Sequence, residues 1–172
     1  MAVDEERPLP PFPAIFAAEF GFVCRSLRRL GIHEPDVHDV AQELFLTVHR
    51  GLESYDRARP LRAWLMGYAV RFAANYNRLG WHKRGDLPAS AAAPARIEEV
   101  LAARQLVARG LHALDFDKRV ALVMHDLEGI SAPDIAAELG IPLNTVYSRV
   151  RLARDGFRSA LRALDAAEGA QP

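Results

Sequence analysis

Asn144, Thr145, Ser148 and Arg149 bring an amide, two hydroxyls and a guanidinium together near the start of one helical stretch. Groups of this kind hydrogen-bond to base edges in the major groove of duplex DNA. Tyr147, Arg151 and Arg154 lie beside them, with Arg158 beyond, and these long or hydrogen-bonding side chains suit the phosphates that flank such a groove. Along this segment five arginines, Arg149, Arg151, Arg154, Arg158 and Arg162, face one acid, Asp155. The chemistry implied is non-covalent recognition of nucleic acid; no group is required to react.

Such side chains need a helix presented end-on, and the flanking residues supply one. Ser131 has the side chain of an N-cap, and Asp134 three residues on places a carboxylate in the positive first turn. Ile135, Ala136 and Leu139 share one face, Gly140 can take the left-handed conformation that ends the helix, and Pro142 discourages its continuation. Beyond this corner Val146, Val150, Ala153, Phe157 and Leu161 recur at helical spacing. That stripe faces inward, leaving Asn144, Thr145, Ser148 and Arg149 to point away. A basic face alone would describe an ordinary solvated hairpin; cap, turn glycine and basic stripe together describe a helix-turn-helix.

A second set of groups lies earlier in the chain. From Arg57 to Arg84 there are seven cations, Arg57, Arg59, Arg62, Arg71, Arg78, Lys83 and Arg84, and no acid. Arg71, Asn75 and Arg78 form a stripe at i, i+4 and i+7. Holding exposed bases outside a duplex calls for cations on the backbone together with planar or amide groups, and this helix and its entry turn carry both. Trp64, Tyr68, Phe72 and Tyr76 have the spacing of core residues and are not by themselves a stacking platform. Immediately before, Glu34 to Asp56 holds six acids and only Arg50 against them. Within it Asp39, Gln42 and Glu43 form an i, i+3, i+4 polar patch extended by Leu46.

The elements follow from periodicity. A loose, proline-bearing tail is expected over residues 1–13, then a helix from about Ala14 to Leu30 stopped by Gly31. Val37, Val40, Ala41, Leu44, Phe45 and Val48 predict a strongly amphipathic second helix from near Pro35. Leu61, Trp64, Leu65, Tyr68, Phe72, Tyr76 and Leu79 predict a third that ends at Gly80. Gly85 to Pro94, small and nearly uncharged, reads as a linker. Apolar positions return at Ile97, Val100, Leu101, Leu106, Leu111 and Leu114, followed by Val120 to Leu127 and the helix-turn-helix. No strand alternation and no solenoid repeat appears. The expected class is all-α: one helical domain over 14–84, a short flexible linker over 85–96, a second domain over 97–166, and a tail over 167–172.

Both halves match one family. Asp36 to Arg78, with Asp39, Gln42, Glu43 and Phe45 ahead of a turn and Arg62, Trp64 and Leu65 after it, resembles region 2 of the sigma-70 family. Asp126 to Arg154 resembles region 4 of the same family, and the presence of only these two regions is similar to the extracytoplasmic-function sigma factors. The resemblance implies that Asp39, Gln42, Glu43 and Leu46 meet the β′ coiled coil of core RNA polymerase, with the β subunit as a further contact. It implies that Arg57, Arg59, Arg62, Trp64, Arg71, Asn75, Arg78, Lys83 and Arg84 serve the −10 element, with Trp64 shaping the single-strand pocket. It assigns Asn144, Thr145, Tyr147, Ser148, Arg149, Arg151 and Arg154 to the −35 element. An anti-sigma factor is implied as a further partner. Two departures stand out: Tyr147 occupies a position that is often basic in the family, and an acid often seen near the end of the third helix has no counterpart.

Composition bounds the alternatives. The 172 residues are half hydrophobic and carry 22 basic and 22 acidic side chains, so the net charge is zero and indiscriminate coating of nucleic acid is disfavoured. Cys24 is the single cysteine; a disulfide within the chain is excluded, a cysteine-based zinc site is implausible and a reducing cytoplasm fits. The acidic, proline-rich start is unlike a signal peptide, and no stretch is apolar enough to span a bilayer. A metal-dependent hydrolase would have to use His33, His38 and His49 with nearby acids, but no HExxH pair, Walker loop or GxSxG is present. No cofactor or metal is expected. A stand-alone regulator, with a sensing or dimerising first domain, would explain the helix-turn-helix equally well but not the acid-free run or the Asp39 patch.

Overall fold

The computed structural model describes residues 9–79 and 95–168, and among these every regular element is helical. Helix α1, Phe12–Arg29, begins two residues earlier than its apolar spacing suggested, because Pro13 in its first turn has the φ of a helix and gives up an N–H with no partner there. A 3₁₀ turn over Glu34–Asp36 leads into α2, Val37–Gly51, and a second over Leu52–Ser54 leads toward α3, Leu61–Arg78. Val37, Ala41, Leu44, Phe45 and Val48 are all buried, as the apolar series of α2 requires. Each large side chain withdrawn this way contributes about 1.5–3 kcal/mol relative to exposure. Phe12, Phe16 and Phe20 lay their rings against Phe45, with centroids 5.0–6.4 Å apart. The far end of α3 is fixed where the buried Tyr76 hydroxyl donates to Asp36 Oδ2 at 2.6 Å. Burial and that carboxylate push the phenol up to about 12.

The second half contains α4, Ala95–His112, α5, Phe116–Leu122, α6, Ala132–Leu139, and α7, Leu143–Glu168. Ala95 and Arg96 are already helical, so the expected linker ends sooner than 96; its residues 85–94, like Gly80, Lys83 and Arg84, lie outside the described residues. Ala167 and Glu168 belong to α7 rather than to a tail. Asp115 caps α5 by accepting the Lys118 N–H, and α5 widens into a π turn over Val123–Leu127. The helix-turn-helix forms as expected: Ser131 Oγ accepts the Asp134 N–H, and Gly140 adopts φ 64° at the corner. Val146, Val150 and Ala153 are buried, with Phe157 half-buried behind them.

The two halves share one continuous apolar core, and α6 rests directly on α3. Gly67 makes that approach feasible, since a methyl there would overlap the Glu138 carboxyl of α6. Arg29 at the end of α1 reaches Glu128 Oε1 at 2.5 Å, and Ser26 donates to the same oxygen at 3.3 Å. The deepest tie is Arg119 of α5, whose guanidinium donates to the carbonyls of Leu111 (2.9 Å), Leu114 (3.0 Å), His112 (3.2 Å) and, in the other half, Leu30 (3.3 Å). Leu30 and His112 close α1 and α4, where helices leave carbonyls without an intrahelical partner, while the Leu111 carbonyl also accepts the Leu114 N–H. Removing the fork takes the donor from three part-buried hydrogen bonds and one exposed one. Arg119→Ala should therefore lower unfolding free energy by about 2–3 kcal/mol in urea titration, and Arg119→Lys should recover little of it because an ammonium cannot reach four acceptors in one plane.

Candidate nucleic-acid interface

On α2, Asp39, Gln42, Glu43 and Leu46 are all exposed, Leu46 at 59%. They lie opposite the buried stripe because a spacing of three and four residues returns to one side of a helix. Leu46 is thus an exposed apolar side chain beside two carboxylates and an amide. Of the three histidines that a metal site would need, the His49 ring meets Phe12 at 4.5 Å and His38 meets Phe20 at 5.6 Å, both edge-on, while the buried His33 Nε2 has no hydrogen-bond partner among the described residues. Among the described residues no three His, Cys, Asp or Glu side chains are grouped to hold a metal. Cys24 is buried, and loss of water pushes its thiol up, away from the reactive thiolate.

The cationic face of α3 is exposed at Arg62, Arg71, Asn75 and Arg78, and Arg57 and Arg59 lie in its entry turn. Trp64 and Tyr68 sit half-buried beside it, the Trp64 ring 4.7 Å from Tyr55 and 5.1 Å from Tyr68, while the Arg71 guanidinium covers the Tyr68 face at 4.5 Å. Trp64 and Tyr68 both pack against the apolar core, as their spacing predicts, and Tyr68 carries the Arg71 guanidinium on its face. The absence of acids along this run does not survive folding. Glu19 of α1 takes Arg62 at 2.9 Å, Asp56 lies 3.7 Å from Arg59, and Glu138 of α6 stands 3.9 Å from Arg59 and 4.0 Å from Arg71. Arg78 donates to Asn75 Oδ1 at 2.8 Å, joining two members of the predicted stripe.

At the start of α7, Asn144, Tyr147, Ser148 and Arg151 are exposed, and Thr145 is half-buried. Arg149 departs from the expectation that it points freely outward: its side chain is 28% exposed and its Nη2 pairs with Asp117 of α5. Arg154 is held as well, its Nε and Nη2 both 2.7 Å from the two oxygens of Asp126. Those hydrogen bonds hold the Asp126 carboxyl down at about 2, with a second contribution from His125, whose Nδ1 lies 2.6 Å from Oδ1. Sequence reading missed Asp117, Asp126 and Glu138, because each meets an arginine tens of residues away and no local spacing marks the pair.

A helix-turn-helix with a polar leading edge, docked on a second helical unit that bears cations beside aromatics, defines an all-α DNA-binding protein with a separate acidic and apolar contact face. Known proteins narrow that class. The family model described as Sigma-70 region 2 matches residues 15–82, and Sigma-70, region 4 matches residues 104–155. The chain belongs to the sigma-70 family of RNA polymerase sigma factors, within the extracytoplasmic-function group. It is 30% identical over 155 residues to RNA polymerase sigma factor CnrH of Cupriavidus metallidurans, covering 82% of this chain and 81% of that protein. Similarity to the ECF RNA polymerase sigma-E factor of Escherichia coli K12 is 30% over 150 residues and 75% of each chain. Among solved structures, CnrH in complex with the cytosolic domain of CnrY superposes with a TM-score of 0.68 at 29% identity and 88% coverage of each chain. The sigma factor RpoE of Bartonella quintana in complex with the anti-sigma factor NepR gives 0.70 over 88% and 96% of the two chains; at 21% identity it speaks for the fold alone. No described helix is long and apolar enough to cross a membrane.

The Glu138 junction has a measurable pH signature. Burial raises the Glu138 carboxyl above its ordinary 4.5, although Arg71 and Arg59 both pull it down. Its ionisation therefore costs more in the folded chain than in the unfolded one. The favourable contribution is present in full below 4.5 and is lost as pH rises through the raised folded value. Glu138→Gln removes it, so the thermal midpoint of this variant relative to the unsubstituted protein should climb between about pH 4 and pH 8. A difference that falls with pH would mean the two guanidiniums outweigh desolvation.

Proposed function

We propose that the chain acts in the cytoplasm as the promoter-specificity subunit of RNA polymerase through three assigned surfaces. Asp39, Gln42, Glu43 and Leu46 of α2 dock on the β′ coiled coil. The entry turn and exposed face of α3, from Arg57 to Arg78, take the opened strand of the −10 element, with Lys83 and Arg84 assigned to the same surface from sequence. The leading edge of α7, Asn144 to Arg154, reads the −35 duplex. The observation that carries this reading is the presence, in one chain, of an unpartnered acidic and apolar patch on α2 and two separate cationic faces. A stand-alone regulator would need only the last of these. The domain division follows the same line, 14–84 for polymerase and the −10 element and 97–166 for the −35 element. Because CnrH, at 29% identity, is solved in complex with the cytosolic domain of CnrY, and because the family resemblance implies an anti-sigma factor, a protein of that kind is proposed as a partner of this chain too.

Attachment is tested by Asp39→Arg with Glu43→Arg. Both positions are exposed, so helicity and melting should stay close to those of the unsubstituted chain while binding to core polymerase weakens by about tenfold or more through charge reversal. Undiminished binding would show the patch to be merely solvated.

Strand capture is tested separately. Asn75→Ala with Arg78→Ala should spare polymerase binding and initial promoter engagement but reduce the permanganate reactivity of unpaired thymines in the opened promoter, because the α7 contacts are untouched. Full reactivity would remove these two residues from the melting surface.

A further inference from the structure

The face of α7 assigned to DNA carries an acid where DNA binding alone would disfavour one. Asp126 comes from the π turn that ends α5, twenty-eight positions before the arginine it holds. Both of its oxygens accept from Arg154 at 2.7 Å, one from Nε and one from Nη2, the fork-to-fork geometry that fixes a guanidinium plane. Arg158, by contrast, pairs at 3.2 Å with Asp155 of its own helix, which ties it to nothing else. Arg154 remains 48% exposed, so the pairing fixes one edge of the guanidinium without burying the group. Two N–H bonds of the five are used, and the three that remain, on Nη1 and the second proton of Nη2, are available to an oxyanion.

A free arginine carries rotamer entropy that must be given up on binding a phosphate. A side chain already held in plane surrenders less. Asp126 lies within the π turn, a rare local form that replaces a continued α5. We propose that Asp126 is a positioning residue for promoter recognition: it holds the Arg154 guanidinium in the orientation in which its free edge meets a DNA phosphate flanking the −35 element. This rests on the reading that α7 contacts the upstream duplex through Arg154.

Charge and positioning predict opposite signs. Taking a carboxylate off a DNA-facing surface should tighten binding if Asp126 acts only by its charge, and should loosen it if Asp126 acts through Arg154. Holoenzyme would be reconstituted from core polymerase and each variant, and binding measured to a duplex selected by the unsubstituted holoenzyme from a random-sequence pool. Asp126→Asn and Asp126→Ala should each weaken binding about three- to tenfold, and Arg154→Ala about tenfold, with a shallower salt dependence for the last. In the Arg154→Ala background, Asp126→Ala should produce no further loss. Tighter or unchanged binding by Asp126→Asn, with Arg154→Ala still weakened, would overturn the positioning role. A loss from Asp126→Ala that persists without Arg154 would overturn it as well, since the acid would then act through the fold. Full binding by Arg154→Ala would overturn it by removing the underlying contact, and that result identifies the α7 assignment as the fault.

Discussion

The buried edge of Arg119 is the constraint on which the arrangement of helices depends. Two helices from different halves of the chain end within reach of one side chain, which donates to the carbonyls of Leu30 and His112 where they close. A single guanidinium, donating in a plane, answers both. Its own cost is loss of water, which lowers its pKa, yet an arginine stays charged throughout and so supplies the donors at any pH the protein meets. Nearby, the same loss of water and the Arg119 charge keep His112 below its ordinary value. With the ends of α1 and α4 fixed, α5 is placed, α7 packs on α5, and the helix-turn-helix is carried into position against α3.

Charge in this molecule is arranged in space more than along the chain. The net charge is zero and the run from Arg57 to Arg84 has no acid, but folding brings Glu19 and Glu138 to its arginines, beside the adjacent Asp56. The same holds on α7, where Asp117 and Asp126 meet Arg149 and Arg154. Most of these pairs are open to water and add little to stability. Their effect is on direction: each limits where a long cationic side chain can point, which is the property a binding face needs.

What was legible in the residues was local. The α2 stripe, the Ser131 cap, the Gly140 corner and the inward face of α7 each depend on positions within about two turns of one another, and periodicity or side-chain chemistry is sufficient to read them. The exposed set Asp39, Gln42, Glu43 and Leu46 followed from the same periodicity. Boundaries were less legible: α1 starts on Phe12 because a proline can open a helix as well as break one, and α4 starts inside the expected linker. The π turn has no compositional mark. The partners of Arg119, Arg149 and Arg154 were out of reach for a different reason, since a contact across 28, 32 or 89 positions is a property of packing and leaves no spacing to read.

Glu138 stands in for an anion. Its carboxylate, docked over the bare backbone of Gly67, is the negative group that Arg59 and Arg71 share. Both guanidiniums already stand 3.9–4.0 Å from this carboxylate, so an anionic ligand of the pair meets a second negative charge beside it and disfavours the docked position of the helix that bears Glu138. The coupling is reciprocal by thermodynamic necessity: whatever free energy the docked helix takes from the ligand's affinity, the bound ligand takes from the docking. The contact between the halves is in that sense a competitor built into the chain, with a local concentration that dilution cannot lower.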